Sequence, residues 1–91
     1  MRLTKKGFKE WLEGKDPSEI AGISVNSTSC PLAVYLQNET GHLWEVERDH
    51  YHDAITSHDL PRWAQQFVVN VDDFTLGEPG KVSARDSLEL L

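Results

Sequence analysis

The sequence predicts an α+β fold that is mostly helical, with four to five short helices and a small β element. Three observations predict this class. Apolar residues recur at helical spacing over residues 60–71, residues that commonly begin helices recur along the chain, and residues 42–48 instead alternate between polar and apolar. The β element is expected at 42–48 and 81–83. The 91 residues are expected to form a single compact domain, 1–91.

The most apolar stretch predicts a central helix over residues 30–39, around which the other helices pack. Hydroxyl side chains shortly before Pro31 are a strong start signal, because a hydroxyl accepts a hydrogen bond from the first helical turn. Proline also fits there, since it lacks an N–H that this turn leaves unpaired. From Pro31 to Leu36 there is no charged residue. A helix that is apolar all round is normally buried, so we expect this one to form the centre of the core.

The strongest helical pattern covers residues 60–71, where apolar residues fall at positions i, i+3, i+4, i+7, i+8 and i+11. These positions are Leu60, Trp63, Ala64, Phe67, Val68 and Val71. The spacing predicts an amphipathic helix whose Trp63 and Phe67 side chains enter the core. Asp72 and Asp73 are expected to end it.

Three shorter helices are predicted from their start signals. Thr4 precedes an apolar stripe at helical spacing. Residues 16–19, Asp-Pro-Ser-Glu, resemble a capping box and predict one or two helical turns. Ser83, with Asp86 three residues on, has the same pattern and predicts a short helix at the end of the chain.

The alternating segment 42–48 places Trp44 and Val46 on one face, which is typical of a half-exposed strand. The following residues, 49–58, are polar and rich in His and Asp. They are expected to form a surface loop that Tyr51 helps to anchor.

Composition excludes several classes of partner. The net charge is −6 with neutral histidines, which disfavours binding to a nucleic-acid backbone because such binding needs a basic face. No apolar run approaches the length of a membrane span, and no apolar signal core follows the basic residues at the start. We therefore expect a soluble cytoplasmic protein, a monomer or homodimer, that binds neither nucleic acid nor membrane.

Three of the four histidines lie between residues 50 and 58, among aspartates. Imidazole and carboxylate groups are good zinc ligands, so His50, His52, His58 and Asp53 are candidate metal ligands. On an extended segment His50 and His52 point the same way and could chelate together. The alternative is a solvated loop with no cofactor, in which the histidines cluster by chance.

The segment Asp49-His50-Tyr51-His52-Asp53 resembles the His-x-His-x-Asp-His motif of metallo-β-lactamase-type hydrolases. It departs from that motif because Asp53 comes one position early and no histidine follows it. That fold also needs a much longer chain. A zinc-dependent hydrolase is therefore not expected.

Cys30 is the only cysteine, which excludes an intrachain disulfide. At a helix N-terminus the backbone amides favour a thiolate, which with a histidine as base could act as a nucleophile. The apolar neighbours Leu32, Val34 and Leu36 instead indicate a buried thiol that behaves as a small apolar side chain. We expect the buried thiol.

Trp44 and Tyr51 are the candidate interface residues, since exposed aromatic side chains with a polar rim are typical of protein-binding surfaces. Burial of Trp44 in the core is the alternative. No pattern combines a nucleophile, a base and an orienting group, which favours a binding protein over an enzyme. The predicted function is a non-enzymatic protein-interaction module with an unidentified protein partner. A metal-binding protein using His50–His58 and a thiol-based activity at Cys30 are the alternatives.

Overall fold

The computed structural model describes residues 2–91 and confirms an α+β fold with four helices in this part of the chain. The elements are α1 (Lys5–Glu13), β1 (Ile20–Ile23), α2 (Pro31–Thr40), β2 (Glu45–Val46), β3 (His50–His52), β4 (Ser57–Asp59), α3 (Arg62–Phe74), β5 (Lys81–Ser83) and α4 (Ala84–Leu90). α2 occupies almost the span predicted for the central helix, and its central position in the packing stays a prediction. Within residues 2–91, no helix is long and apolar enough to cross a membrane.

The predicted start signals of α1 and α4 are confirmed. The Thr4 hydroxyl accepts a hydrogen bond from the Gly7 N–H at 3.1 Å, and the Ser83 hydroxyl accepts one from the Asp86 N–H at 3.1 Å. Each bond satisfies a backbone donor that the first turn of a helix leaves free. α2 begins differently, because Cys30 precedes its first residue and makes no side-chain capping bond among the described residues.

Residues 16–19 do not begin a helix, so that prediction is wrong. The Asp16 carboxylate accepts hydrogen bonds from the Ser18 N–H at 2.9 Å and from the Ser18 hydroxyl at 2.7 Å, which closes an isolated turn. The chain then extends into β1, where a Cβ at Gly22 would lie only 2.5 Å from the Pro31 nitrogen. A glycine in a strand commonly marks such a close approach of two backbones.

The strands form two antiparallel sheets, which corrects the prediction of one β element. Residues 81–83 are extended as predicted, but they pair with β1 and not with residues 42–48. β2, β3 and β4 form a meander in chain order. The expected loop over residues 49–58 is also corrected, because this stretch contains β3 and the start of β4.

α3 confirms the strongest helical pattern but runs through Asp72 and Asp73 to Phe74. The Asp72 carboxylate accepts a hydrogen bond from the Val25 N–H at 3.1 Å. This side chain therefore joins α3 to the turn after β1 and does not end the helix. The predicted helix end is wrong because a contact distant in sequence satisfies the aspartate.

The loop after α3 is tied to the end of β1 by a buried serine. The Ser24 hydroxyl lies 2.6 Å from the Thr75 hydroxyl and 3.1 Å from the Glu78 carbonyl oxygen, and it accepts a hydrogen bond from the Gly80 N–H at 3.1 Å. Buried polar groups need such partners, because an unsatisfied one costs about 1–3 kcal/mol. Ser24 therefore helps to place α3 beside β1.

Five rings from α1, α2 and α3 pack together and are termed the aromatic cluster; they are Phe8, Trp11, Tyr35, Trp63 and Phe67. Phe8 contacts the other four, with centroid distances from 5.1 to 6.1 Å. Phe67 is 1% exposed and Trp63 is partly buried against the core, as predicted. The helical spacing over residues 60–71 thus places the rings of α3 against those of α1.

Candidate functional site

The meander β2–β3–β4 carries its histidines on two different faces. Val46, Tyr51 and His58 are paired across the three strands, so their side chains share the face that packs on the core. His50 and His52 flank Tyr51 in β3 and point to the other face. Their rings stack with centroids 5.4 Å apart.

Carboxylates surround this outward pair of histidines. His50 Nδ1 lies 2.8 Å from an Asp49 carboxylate oxygen, and His52 Nε2 lies 3.4 Å from a Glu45 oxygen. A Glu47 oxygen lies 4.0 Å from the same His52 nitrogen. The hydrogen bond with His50 lowers the pKa of Asp49. The outer face of the meander is therefore a set of partly exposed His–carboxylate pairs.

Asp53 organises the turn between β3 and β4. One carboxylate oxygen accepts hydrogen bonds from the Ile55 N–H at 3.0 Å, the Thr56 N–H at 2.6 Å and the Thr56 hydroxyl at 2.9 Å. The other oxygen lies 2.9 Å from Nε2 of His42. The bonds from the Thr56 and Ile55 backbone hold the pKa of Asp53 well below its usual range. This carboxylate therefore has a structural role in the turn.

The structure does not bring the four candidate metal ligands together. His58 lies on the core face, His50 and His52 point outward, and Asp53 is bonded within its own turn. Across residues 2–91, no three His, Cys, Asp or Glu side chains are grouped so that they could hold a metal ion. His58 pairs with Tyr51, whose side chain lies on the face opposite those of His50 and His52, and so the pairing of β4 with β3 separates His58 from the other two histidines.

Trp44 and Tyr51 are only 2% and 4% exposed, which corrects the expectation of an exposed aromatic anchor. Trp44 donates its indole N–H to the Thr40 hydroxyl at 2.8 Å. Its ring centroid lies 5.3 Å from that of His42 and 5.6 Å from that of Tyr51, and His58 stacks on Tyr51 at 5.1 Å. These four rings, His42, Trp44, Tyr51 and His58, are termed the histidine cluster.

Cys30 is 9% exposed, and burial raises its pKa to about 11. The backbone N–H groups of Ala33 and Leu32 act in the opposite direction, but more weakly. At neutral pH the group is therefore a thiol, whereas a nucleophilic cysteine reacts as the thiolate. This geometry favours a packing role for Cys30.

A groove lies between the turn after β1, the loop after β2 and the outer face of α3. Two cavities of about 210 and 440 Å³ form it, and Arg48, Val68 and Asp72 line both of them. Val25 lines the smaller cavity and Val69 the larger one. Val25 is 43% exposed and Val69 is 50% exposed. We term this surface the valine groove.

Hydrogen bonds between distant segments hold the walls of the valine groove. Asp72 in α3 accepts from the Val25 N–H, and the Val46 N–H in β2 donates to the Ser27 carbonyl oxygen at 2.8 Å. Val25 itself has a φ of 54°, in the left-handed region that β-branched residues rarely adopt. The turn that carries Val25 is therefore fixed from two sides.

Acidic groups predominate around the valine groove. Glu47 lines the smaller cavity, Asp73 lines the larger one, and Asp72 lines both. Arg48 is the one Lys or Arg among the residues that line these two cavities. The groove thus combines exposed valines with a net negative charge.

The sequence pattern did not predict the valine groove. Val69 falls on the polar face of its helix, and this position indicates an exposed apolar side chain. The signal does not identify a binding surface, because single apolar residues on a surface are common. Val25 stands among polar residues, and its positive φ has no sequence signal because glycine, asparagine or aspartate normally occupies such a position.

Similarity to known proteins does not indicate which of these surfaces is functional. No family model matches the chain, and neither a curated protein nor a solved structure matches it.

Proposed function

We propose that the chain is a non-enzymatic interaction module that binds a segment of a partner protein in the valine groove. The observation that carries the proposal is the backbone of Val25, with its φ of 54°. This conformation costs an L residue roughly 1–2 kcal/mol. Strained residues of this kind cluster at functional sites, and this one holds an exposed valine at the wall of a groove.

The exposed valines favour a partner segment with one or two aliphatic anchor residues. Val25 and Val69 are each about half exposed, and Val68 of α3 is partly buried against the core. Covering apolar surface stabilises a complex by about 25 cal/mol per Å² before the costs of association. A short amphipathic helix or an extended segment presents side chains in the spacing that such a groove needs.

The charge of the groove favours lysine or arginine beside those anchors. Glu47, Asp72 and Asp73 place three carboxylates around the valines, against the single guanidinium of Arg48. The net charge of −6 acts in the same direction over longer distances and speeds the encounter with a basic partner. The proposed occupant is therefore an aliphatic and basic segment of another protein.

The hydrogen bonds that fix the groove reduce the cost of binding. The contacts of Val25 with Asp72 and of Val46 with Ser27 are already formed in the free protein. A pre-organised site loses less conformational entropy when its partner docks. A cytoplasmic location is part of the same proposal, since the free thiol of Cys30 suits a reducing compartment.

The test is a selection of short random peptides, displayed on phage, against the purified protein. We expect the selected peptides to combine an aliphatic residue with Lys or Arg. Binding of a synthetic selected peptide should weaken about tenfold or more in Val69→Asp, because the change removes an apolar contact and buries a charge. Val25→Gly should also weaken binding, while folding stability stays equal or rises because glycine adopts a positive φ without strain.

The matched control is Ile55→Asp. Ile55 is 91% exposed in the β3–β4 turn and is not among the residues that line the valine groove, so this change should leave peptide binding unaltered. Selected peptides that lack basic residues, or that bind Val69→Asp as tightly as wild type, would contradict the proposal. It would also be contradicted by a homodimer in solution that Val69→Asp dissociates, since the occupant would then be a second copy of this chain.

A further inference from the structure

A separate cleft of about 550 Å³ lies where the start of α1 meets β4 and the start of α3. Arg2 and Lys5 line it, together with His58, Asp59 and Trp63. We propose that this cleft, termed the N-terminal cleft, binds a small soluble organic phosphate. Arg2 and Lys5 hold the phosphate group, and Trp63 contacts the apolar or planar body of the ligand.

Two side chains of the cleft, Arg2 and Lys5, carry positive charge. Among the described residues, neither Arg2 nor Lys5 makes an ion pair. Residues 1–9 contain four basic residues and no acidic one, whereas all 15 acidic residues of the chain lie at Glu10 or beyond. Two of the four basic residues, Arg2 and Lys5, line the cleft, and phosphate is a strong acceptor for both guanidinium and ammonium groups.

These cations lie at the start of α1. The N-terminus of a helix carries a partial positive charge, so basic residues in the first turn are unfavourable there. α1 begins with Lys5 and Lys6 and has no acidic residue in its first turn, and α3 has none either. A bound anion would offset the repulsion among these groups. Departures from local sequence preferences are expected at functional sites.

Aromatic side chains form part of the wall of the cleft. Trp63 lines the cleft while its ring stacks on Phe8 at a centroid distance of 6.1 Å, so the indole is held by the aromatic cluster. His58 stacks on Tyr51 and its Nε2 lies 3.2 Å from the Thr56 hydroxyl, which fixes the imidazole. The His58 imidazole thus provides a polar side of the cleft, and the Trp63 indole provides an apolar side.

The size and charge of the cleft select a small ligand over a polyanion. Cavities of roughly 300–1,000 Å³ are typical of small-molecule sites. Asp59 lines the same cleft and would repel a second phosphate group placed near it. Beyond residue 9 the chain has 15 acidic residues against five basic ones, namely Lys15, Arg48, Arg62, Lys81 and Arg85. A long phosphate backbone would therefore meet repulsion outside the cleft.

The test is an NMR titration of the ¹⁵N-labelled protein with inorganic phosphate and, separately, with a nucleoside monophosphate. We expect saturable shifts of the Trp63 indole N–H and of the first amides of α1, with the nucleoside monophosphate binding more tightly than inorganic phosphate. The double variant Arg2→Gln with Lys5→Gln should lose about tenfold in affinity or more, because two charge-assisted hydrogen bonds are removed.

The matched control is Lys6→Gln with Lys9→Gln. Both lysines are exposed in α1 and are not among the residues that line the cleft, so the variant removes the same charge from the same helix. It should change affinity less than about twofold, since only the screened long-range attraction is lost.

The assignment is overturned if neither compound gives saturable shifts, or if the two double variants lose affinity equally. It is overturned as well if inorganic phosphate binds as tightly as the nucleoside monophosphate, because Trp63 would then contribute nothing. Vesicles of phosphatidylcholine with phosphatidic acid distinguish a lipid headgroup from a soluble phosphate. Binding to these vesicles without binding to the nucleoside monophosphate would reject the soluble ligand.

Discussion

The aromatic cluster and the histidine cluster are both built from stacked rings, but different interactions hold them. In the aromatic cluster, Phe8 contacts four other rings from three helices, and none of the five is a histidine. In the histidine cluster, the Trp44 and Tyr51 rings lie between imidazoles, and His42 is bonded to Asp53. The first region depends on apolar burial, whereas the second also depends on hydrogen bonds between its rings and polar side chains, namely Asp53 and Thr40.

Because the aromatic cluster depends on apolar burial, we expect truncation of one of its rings to have the largest effect on folding. Phe67→Ala should lower the free energy of unfolding by about 3–5 kcal/mol, because the side chain is 1% exposed and packs edge-on against Phe8 at 5.1 Å. Urea unfolding measures the change. Phe74→Ala in the same helix is the matched control, since Phe74 is 49% exposed and should cost under about 1 kcal/mol. Equal losses would show that the aromatic cluster is not the main source of stability.

The buried thiol of Cys30 adds a titratable group to the helical region. We expect its ionisation to lower folding stability only at alkaline pH. Its pKa is raised from 9.0 to about 11, so the unfolded chain loses the proton first. The contribution of the thiol to the free energy of unfolding is complete below about pH 9 and is lost as the pH rises toward 11. The loss amounts to about 2–3 kcal/mol. Urea unfolding across this range measures the loss.

Cys30→Ala is the control for the alkaline loss. Burial also raises the pKa of Tyr35, with the charges of Glu39 and Glu10 acting in the same direction, so part of the slope should persist in the variant. The difference between the two proteins isolates the thiol. Thiol reagents such as DTNB should label native Cys30 slowly and the unfolded chain rapidly. Fast labelling of the native protein near neutral pH would contradict the packing role.

A more local effect is expected at the turn beside the histidine cluster. Asp53→Ala should speed amide hydrogen exchange at Ile55 and Thr56 and lower the melting temperature, because three hydrogen bonds of the turn are lost. Since folding lowers the pKa of Asp53 from 3.8, its contribution is present above about pH 4 and is lost as the pH falls below that value. Asp49→Ala should leave exchange at these two amides unchanged. The same acceleration in both variants would rule out a specific role for Asp53.

The smallest effect is expected from zinc on the outer face of the meander. His50 and His52 point the same way, but His58 lies on the other face and Asp53 is bonded in its turn. A metal that binds only the native state raises the melting temperature as its concentration increases. We expect no such rise with zinc in a thermal melt. A saturable rise in melting temperature with one zinc per chain, abolished in the double variant His50→Ala with His52→Ala, would show that two imidazoles and nearby carboxylates suffice to bind zinc.

The starts of α1 and α4 and the buried face of α3 were predicted from the sequence, because the interactions that form them are local. Thr4 and Ser83 each bond an N–H three residues on, and the spacing over residues 60–71 turns Phe67 toward the core whatever the partner helix is. The prediction of a helix start at residues 16–19 was wrong for a related reason. An aspartate that accepts from the N–H two residues on serves equally at a helix start and in an isolated turn.

The candidate surfaces required the tertiary structure. Alternation along a strand placed His50 beside His52, but only the pairing of β3 with β4 decided that His58 lies on the opposite face. The valine groove exists because hydrogen bonds from segments far apart in the chain hold Val25 in a conformation that its own side chain disfavours. Periodicity follows from the geometry of one element, and so the sequence alone determined it. Strand partners, buried faces and strained turns depend on contacts between residues that are distant in sequence, and so only the tertiary structure decided them.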